Sequence, residues 1–191
     1  RSWLMAQNAV DLCNTALQRV GATSIMSLLD NSPEARACNL AYETNRRDEI
    51  RKHRWNFAIK RAVLAPDSTA PDFDYTYAFT LPTDCLRVLR PSTVDLDWQV
   101  EGRKILSNDS DTLRLKYLAD IIDPAQWDAS FYNVCSMALA VDISERLTQS
   151  NTKKQLLMQE YDLAVRMARR MDAFESGPED AVEDTWLVAR L

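Results

Sequence analysis

Residues Arg46–Arg90 read RRDEIRKHRWNFAIKRAVLAPDSTAPDFDYTYAFTLPTDCLRVLR, and the periodicity changes partway along them. Arg46 to Trp55 has the charge density and the lack of Gly or Pro expected at a helix end. From Asn56 the pattern has period two: Phe57, Ile59 and Val63 fall on one face, Asn56, Lys60 and Ala62 on the other. A Pro- and Asp-rich loop (Pro66 to Asp74) follows. Tyr75, Tyr77, Phe79 and Leu81 then alternate with Thr76, Ala78 and Thr80, until Pro82 ends the strand because it cannot donate to a ladder. Leu86, Val88 and Leu89 begin another. The stretch therefore leads out of a helix and into a small sheet.

On its N-terminal side lie two helices. Val10, Cys13, Ala16, Leu17 and Val20 recur at helical spacing from Gln7 to Val20, and Gly21 supplies the stop. Ile25, Leu28 and Leu29 are expected to tuck under the helices. Ser32-Pro33 reads as an N-cap and first helical position, since Pro loses no bond there. That second helix runs to about His53 with Ala37, Cys38, Ala41 and Tyr42 inward.

On its C-terminal side, Trp98 to Leu106 reads as a hairpin turning near Glu101 and Gly102. Asn108 to Asp111 is a polar turn, after which Leu113, Leu115 and Tyr117 alternate with Thr112, Arg114 and Lys116. About five strands are expected. Asp123-Pro124 has the form of an N-cap and first position of a third helix, running to Gln149. It carries Trp127, Phe131, Val134, Cys135, Ala138, Val141 and Ile143 inward and is apolar over most of its girth, which marks a central helix. A fourth, capped by Asn151 or Thr152 and ending near Phe174, places Leu157, Tyr161, Ala164, Met167, Met171 and Phe174 on one stripe. Short loops join helices one to two and three to four, so each pair is antiparallel. The expected class is α+β: a four-helix bundle (5–54 and 123–174) with a small antiparallel β subdomain (55–122) inserted between helices two and three. An extended tail (175–191) follows. There Gly177-Pro178 breaks the helix, and Glu175, Glu179, Asp180, Glu183 and Asp184 form an acidic run before Trp186, Leu187, Val188 and Leu191. An apolar tip on an acidic tether suits docking elsewhere; folding back onto its own bundle is the alternative.

Composition bounds the chemistry. A chain of 191 residues with 46% hydrophobic and 27% charged residues has enough apolar material for a core, and three Gly suits a helical protein. A net charge of −5 argues against a general nucleic-acid binder. Cys13, Cys38, Cys85 and Cys135 are scattered among apolar neighbours and read as reduced core residues. Zinc would need clustered ligands, yet His53 is the only histidine, so no metal or other cofactor is expected. No apolar run approaches the roughly 20 residues that span a membrane, and the start lacks the regions of a signal peptide. His53 sits in Arg51-Lys52-His53-Arg54 without a nucleophile motif beside it, and there is no Gly-rich phosphate loop. With 28 acidic residues, a carboxylate pair at glycosidase spacing carries no signal. No active site emerges. The one local positive patch is Arg46, Arg47, Arg51, Lys52 and Arg54, with Lys60 and Arg61. It suits DNA contact, pairing with an acidic neighbour such as the next subunit's tail, or a solvated face partly neutralised by Asp48 and Glu49.

Four pieces carry a resemblance: AVDLCNTALQRVGA, RDEIRKHRWNFAIKRAVLA, YAFTLPTDCLRVLR and DTWLVAR, in that order and across nearly the whole chain from Met5. Together they resemble the head-to-tail adaptor proteins of short-tailed bacteriophages, the tail tubular protein A or gatekeeper family. The resemblance implies a virion protein assembled in the bacterial host cytoplasm. It implies a homo-oligomeric ring, a dodecamer in relatives, between the portal protein and the tail nozzle protein. Such a ring extends the channel for genomic double-stranded DNA, without sequence specificity. A mildly acidic wall lets DNA slide where a basic one would hold it. The C-terminal Trp186, Leu187, Val188, Arg190 and Leu191 would dock on the portal, with Trp186 as anchor and Arg190 meeting a carboxylate. The hairpin tip at Glu101, Gly102 and Arg103 would face the nozzle. The rival reading is a tail-associated peptidoglycan-degrading enzyme.

Overall fold

The computed structural model describes residues 8–91, 97–108 and 112–175. Its class is mixed α+β, with four helices and two three-stranded antiparallel sheets among those residues. The helices are α1 (Ala9–Val20), α2 (Pro33–Lys52), α3 (Ala129–Thr148) and α4 (Asn151–Phe174). Between α2 and α3 come β1 (Ile59–Leu64), β2 (Tyr77–Thr80), β3 (Cys85–Pro91), β4 (Trp98–Glu101), β5 (Lys104–Ser107) and β6 (Leu113–Ala119). The strand orders are β1-β6-β3 and β2-β5-β4, so six strands replace the expected five and one sheet becomes two.

Capping explains the helix boundaries. Asn8 accepts from the Asp11 amide at 2.9 Å while Asp11 accepts from the Asn8 amide at 3.2 Å, a reciprocal box that satisfies two orphan donors. Gly21 closes α1 in the left-handed region at φ 86, where a side chain would be strained. Ser32 caps α2 with Pro33 in the first turn. Asn14 clamps the Ile25 backbone from both sides, at 2.8 and 2.9 Å, so Ile25 tucks under α1. Leu29 does not follow it and is 87% exposed.

Two helix starts differ from expectation. Asp123-Pro124 opens only a single 3-10 turn, Pro124–Gln126, because the chain re-extends at Trp127. There the buried indole donates to the Ile121 carbonyl at 2.9 Å, an anchor that a continuous helix would break. Asp128 then caps α3, accepting from Ser130 and Phe131. Ser150, rather than Asn151 or Thr152, caps α4.

Helix α3 packs against α1, α2 and α4, as its apolar girth requires. Val134 through Ala140 are all buried. On α4, Leu157, Ala164 and Ala168 are buried and Tyr161 and Val165 pack against the core. Met167 and Phe174 from the expected stripe are 61% and 78% exposed, and Met171 is exposed with them. Hydropathy ranks Met above Ala, but two closely packed helices accept small residues at the contact, so the alanines face in.

One apolar cluster runs from the helices into both sheets, joining Leu17, Ile50, Phe79, Ile105, Leu118 and Leu139. Its aromatic node is Phe131, whose ring lies 5.0 Å from Trp55, 4.8 Å from Phe57 and 5.1 Å from Trp127. Burying Phe131 fully is worth roughly 1.5–3 kcal/mol. All four cysteines are buried and unbridged, and burial pushes the Cys135 thiol well above its usual range. Asn56–Ala58 forms a 3-10 turn, so the strand begins at Ile59 and Phe57 belongs to the turn.

Candidate functional site: a cationic sheet face

The ladder of the first sheet sorts its side chains. Directly opposite residues of an antiparallel pair share a face. On one face Ala62 pairs with Leu115 and Leu64 with Leu113, and all four pack into or against the core. The other face pairs Ile59 with Leu118, Arg61 with Lys116 and Val63 with Arg114. Its Leu118 end is buried, whereas Val63 at the far end is 68% exposed. Val63 therefore shares a face with Ile59, as the periodicity predicts, but that end is open to solvent.

Strand β3 completes the open face. Arg87 stands opposite Leu118 and Arg90 opposite Lys116, with an irregularity in the ladder between Val88 and Arg90. Simple alternation would send residues 87 and 90 to opposite faces; one extra residue in the strand brings them together. Arg54, just beyond α2, lines the same face. The result is a groove of about 550 Å³ whose lining includes Arg54, Arg61, Arg87, Arg90, Arg114 and Lys116 over a floor of Val63 and Leu89. No carboxylate lines it among the described residues. Guanidinium forks over an aliphatic floor suit carboxylate or phosphate groups carried on a chain.

The positive patch legible near the end of α2 is dispersed by the fold. Arg46 is 4% exposed and holds Asp120 through Nε at 3.1 Å and Nη2 at 3.0 Å. Arg47 lies 3.5 Å from the same carboxylate and 3.9 Å from Glu43. Arg51 donates to the Leu86 carbonyl at 2.6 Å, and Arg87 donates back to the Arg51 carbonyl at 3.0 Å, tying α2 to β3. Lys52 bridges Asp48 and Glu49 at 2.8 and 2.7 Å. Glu49 is itself buried, accepting from the Tyr161 hydroxyl at 2.9 Å, so it links α2 to α4. Burial and the Glu49 carboxylate push Tyr161 up to about 12. Of the five residues, only Arg54 reaches the groove; Arg61, from the flanking pair, also does.

His53 marks where the groove meets the end of α4. Its Nε2 lies 3.3 Å from Asp172, and Asp172 also accepts from the Asn56 amide at 2.9 Å. Burial lowers its pKa, Asp172 opposes that, and the charges of Arg169 on α4 and Arg87 in the groove add to the lowering. The imidazole is held neutral at ordinary pH, as a fastener between α4 and the start of β1.

The expected hairpin is present, with Gly102 at φ 58 and Arg103 forming the two-residue turn. Arg103 folds back, donating to the Pro82 carbonyl at 2.6 Å. The tail residues Trp186, Leu187, Val188, Arg190 and Leu191 lie outside the described residues. Among the described residues no group of three His, Cys, Asp or Glu converges to hold a metal ion, and no helix is long and apolar enough to cross a membrane. The groove itself was missed at the sequence level. Its signal was the alternation of Arg114 and Lys116 outward, which needed the partners of β6 to become a site. No family model matches the chain, and no curated protein matches it.

Proposed function

We propose that this protein is a structural virion subunit, a head-to-tail adaptor that assembles as a ring between portal and tail nozzle and extends the DNA channel. The sequence support is the ordered run of four segments, from AVDLCNTALQRVGA to DTWLVAR. The observation that carries the reading is the outer face of α4. Leu156, Leu163, Met167, Met171 and Phe174 recur there at steps that keep them on one side, and all are exposed. An apolar stripe of this length on a subunit marks an interaction surface. Heterologous, ring-closing contacts need such a surface on each subunit.

In this reading the four helices form a bundle that makes the ring wall, and the β subdomain is inserted between α2 and α3. The hairpin at Glu101, Gly102 and Arg103 turns toward the nozzle. Trp186, Leu187, Val188, Arg190 and Leu191 dock on the portal, with Trp186 as the buried anchor. Co-sedimentation with the cognate portal ring tests it, comparing the full chain with a chain ending at Ser176. Saturable binding near one copy per portal subunit, lost on truncation, is expected. Failure of the full chain to bind would remove the adaptor reading.

A further inference from the structure

We infer that the cationic groove on the β1-β6-β3 sheet is the docking site for the acidic segment 175–184 of the same chain. The inference stands on the groove and does not require the adaptor reading.

Three observations converge. The first is charge complementarity. The groove gathers five cations of the sheet face and Arg54 beside them, while ESGPEDAVED carries Glu175, Glu179, Asp180, Glu183 and Asp184 with no Lys or Arg among them. Arg forks donate paired hydrogen bonds to carboxylates, and several such pairs in a row on a rigid sheet reinforce one another. The second is position. Helix α4 ends at Phe174, and its last turn is fastened through Asp172 to Asn56 and His53, next to Arg54 and within the field of Arg87. The acidic segment therefore starts at the mouth of the groove. Ten extended residues reach about 33 Å, more than the roughly 23 Å of a seven-residue strand such as β6. The third is the floor. Val63 and Leu89 give Ala181 and Val182 apolar surface between the carboxylates.

Nucleic acid fits less well. No aromatic side chain lines the groove for bases to stack on. The chain as a whole is acidic, at net charge −5, and repels a phosphate backbone at long range. A segment tethered beside the groove has an effective concentration in the millimolar range, so weak individual pairs suffice to hold it.

Hydrogen exchange of the full chain, followed by peptide mass spectrometry at low ionic strength, tests the contact. Amides of 179–184 are expected to exchange at least about fivefold slower than an unstructured chain, since a docked segment exchanges only through opening. The protection should fall away at high salt, where charges on a surface are screened. Arg61→Glu/Arg114→Glu should abolish it, and adding Glu179→Arg/Glu183→Arg should restore it. Both arginines are exposed, so the fold survives their reversal; should thermal unfolding show otherwise, Arg61→Gln/Arg114→Gln replaces the pair with the same expected loss. Three outcomes overturn the inference: no protection in the unmodified chain, protection that survives groove reversal, or protection that grows with protein concentration and so belongs to a neighbouring copy's tail. A fourth is loss of duplex DNA retention on groove reversal with tail exchange unchanged, which would assign the groove to nucleic acid. None depends on portal binding, so this test and the co-sedimentation fail separately.

Discussion

Replacing Asp120 with alanine tests whether the buried charges at the helix–sheet joint hold the fold. Asp120 follows β6, and its carboxylate receives two hydrogen bonds from Arg46, whose side chain is 5% exposed. Arg46 also sits 5.8 Å over the Tyr42 ring, so a second contact covers its guanidinium. Asp120→Ala leaves that cation buried without its partner, at a cost of about 3–5 kcal/mol. The reverse change, Arg46→Met, is milder. Asp120 keeps Arg47 at 3.5 Å and its own side chain is 15% exposed, so roughly 1–3 kcal/mol is expected. The double variant Arg46→Met/Asp120→Ala should then cost clearly less than the two single changes together, because no buried charge is left alone. For a chain of this size each kcal/mol lowers Tm by about 2–4 °C, so Asp120→Ala should melt roughly 6–20 °C early. Thermal unfolding by circular dichroism reads this directly. An Asp120→Ala variant melting within about 2 °C of the parent, or strictly additive effects in the cycle, would refute the account.

Three further outcomes are expected. Tyr161→Phe removes a donor from the buried Glu49 carboxylate while leaving Lys52 in place, and should lower stability by about 1.5–3 kcal/mol in urea unfolding. Asp67 accepts from Lys104 at 2.8 Å and from the Thr80 hydroxyl, which hold its pKa below the ordinary carboxylate value. A depressed folded pKa stabilises above the unfolded value near 4 and is lost as pH falls through the folded one. The Tm of the parent should therefore drop on acidification below about pH 4 more steeply than that of Asp67→Asn, and parallel curves would exclude this role for Asp67. Met167→Glu/Met171→Glu places charge on the exposed face of α4. It should leave Tm nearly unchanged but weaken self-association in sedimentation equilibrium, whereas unchanged assembly would show that this face is not the subunit contact.

How far the chain could be read without coordinates follows from the range of each interaction. The start and cap of α2, the C-terminal end of α1, the β4–β5 hairpin and the central character of α3 rest on residues within a few positions of one another. Ser32-Pro33, Gly21, Gly102 and the run Val134–Ala140 therefore disclosed them in one dimension. Alternation likewise marked β6 as a strand with one apolar face. The errors arose where a distant partner overruled local preference. Trp127 left the helical path to reach Ile121, the packing against α3 chose Ala164 and Ala168 over Met167 and Met171, and Arg46 went inside because Asp120, 74 positions on, was there to meet it.

The groove is the clearest case. Its cations come from the α2–β1 junction, β1, β3 and β6, and the chain between Arg54 and Lys116 holds acids as well as bases. Local composition could state that Arg114 and Lys116 share a side. Only strand pairing across β1-β6-β3, with the irregularity that turns Arg87 and Arg90 to one face, could gather five like charges there beside Arg54. Periodicity and capping are properties of neighbours in sequence and survive without a fold. A charged surface is a property of neighbours in space, and register alone decides who those neighbours are.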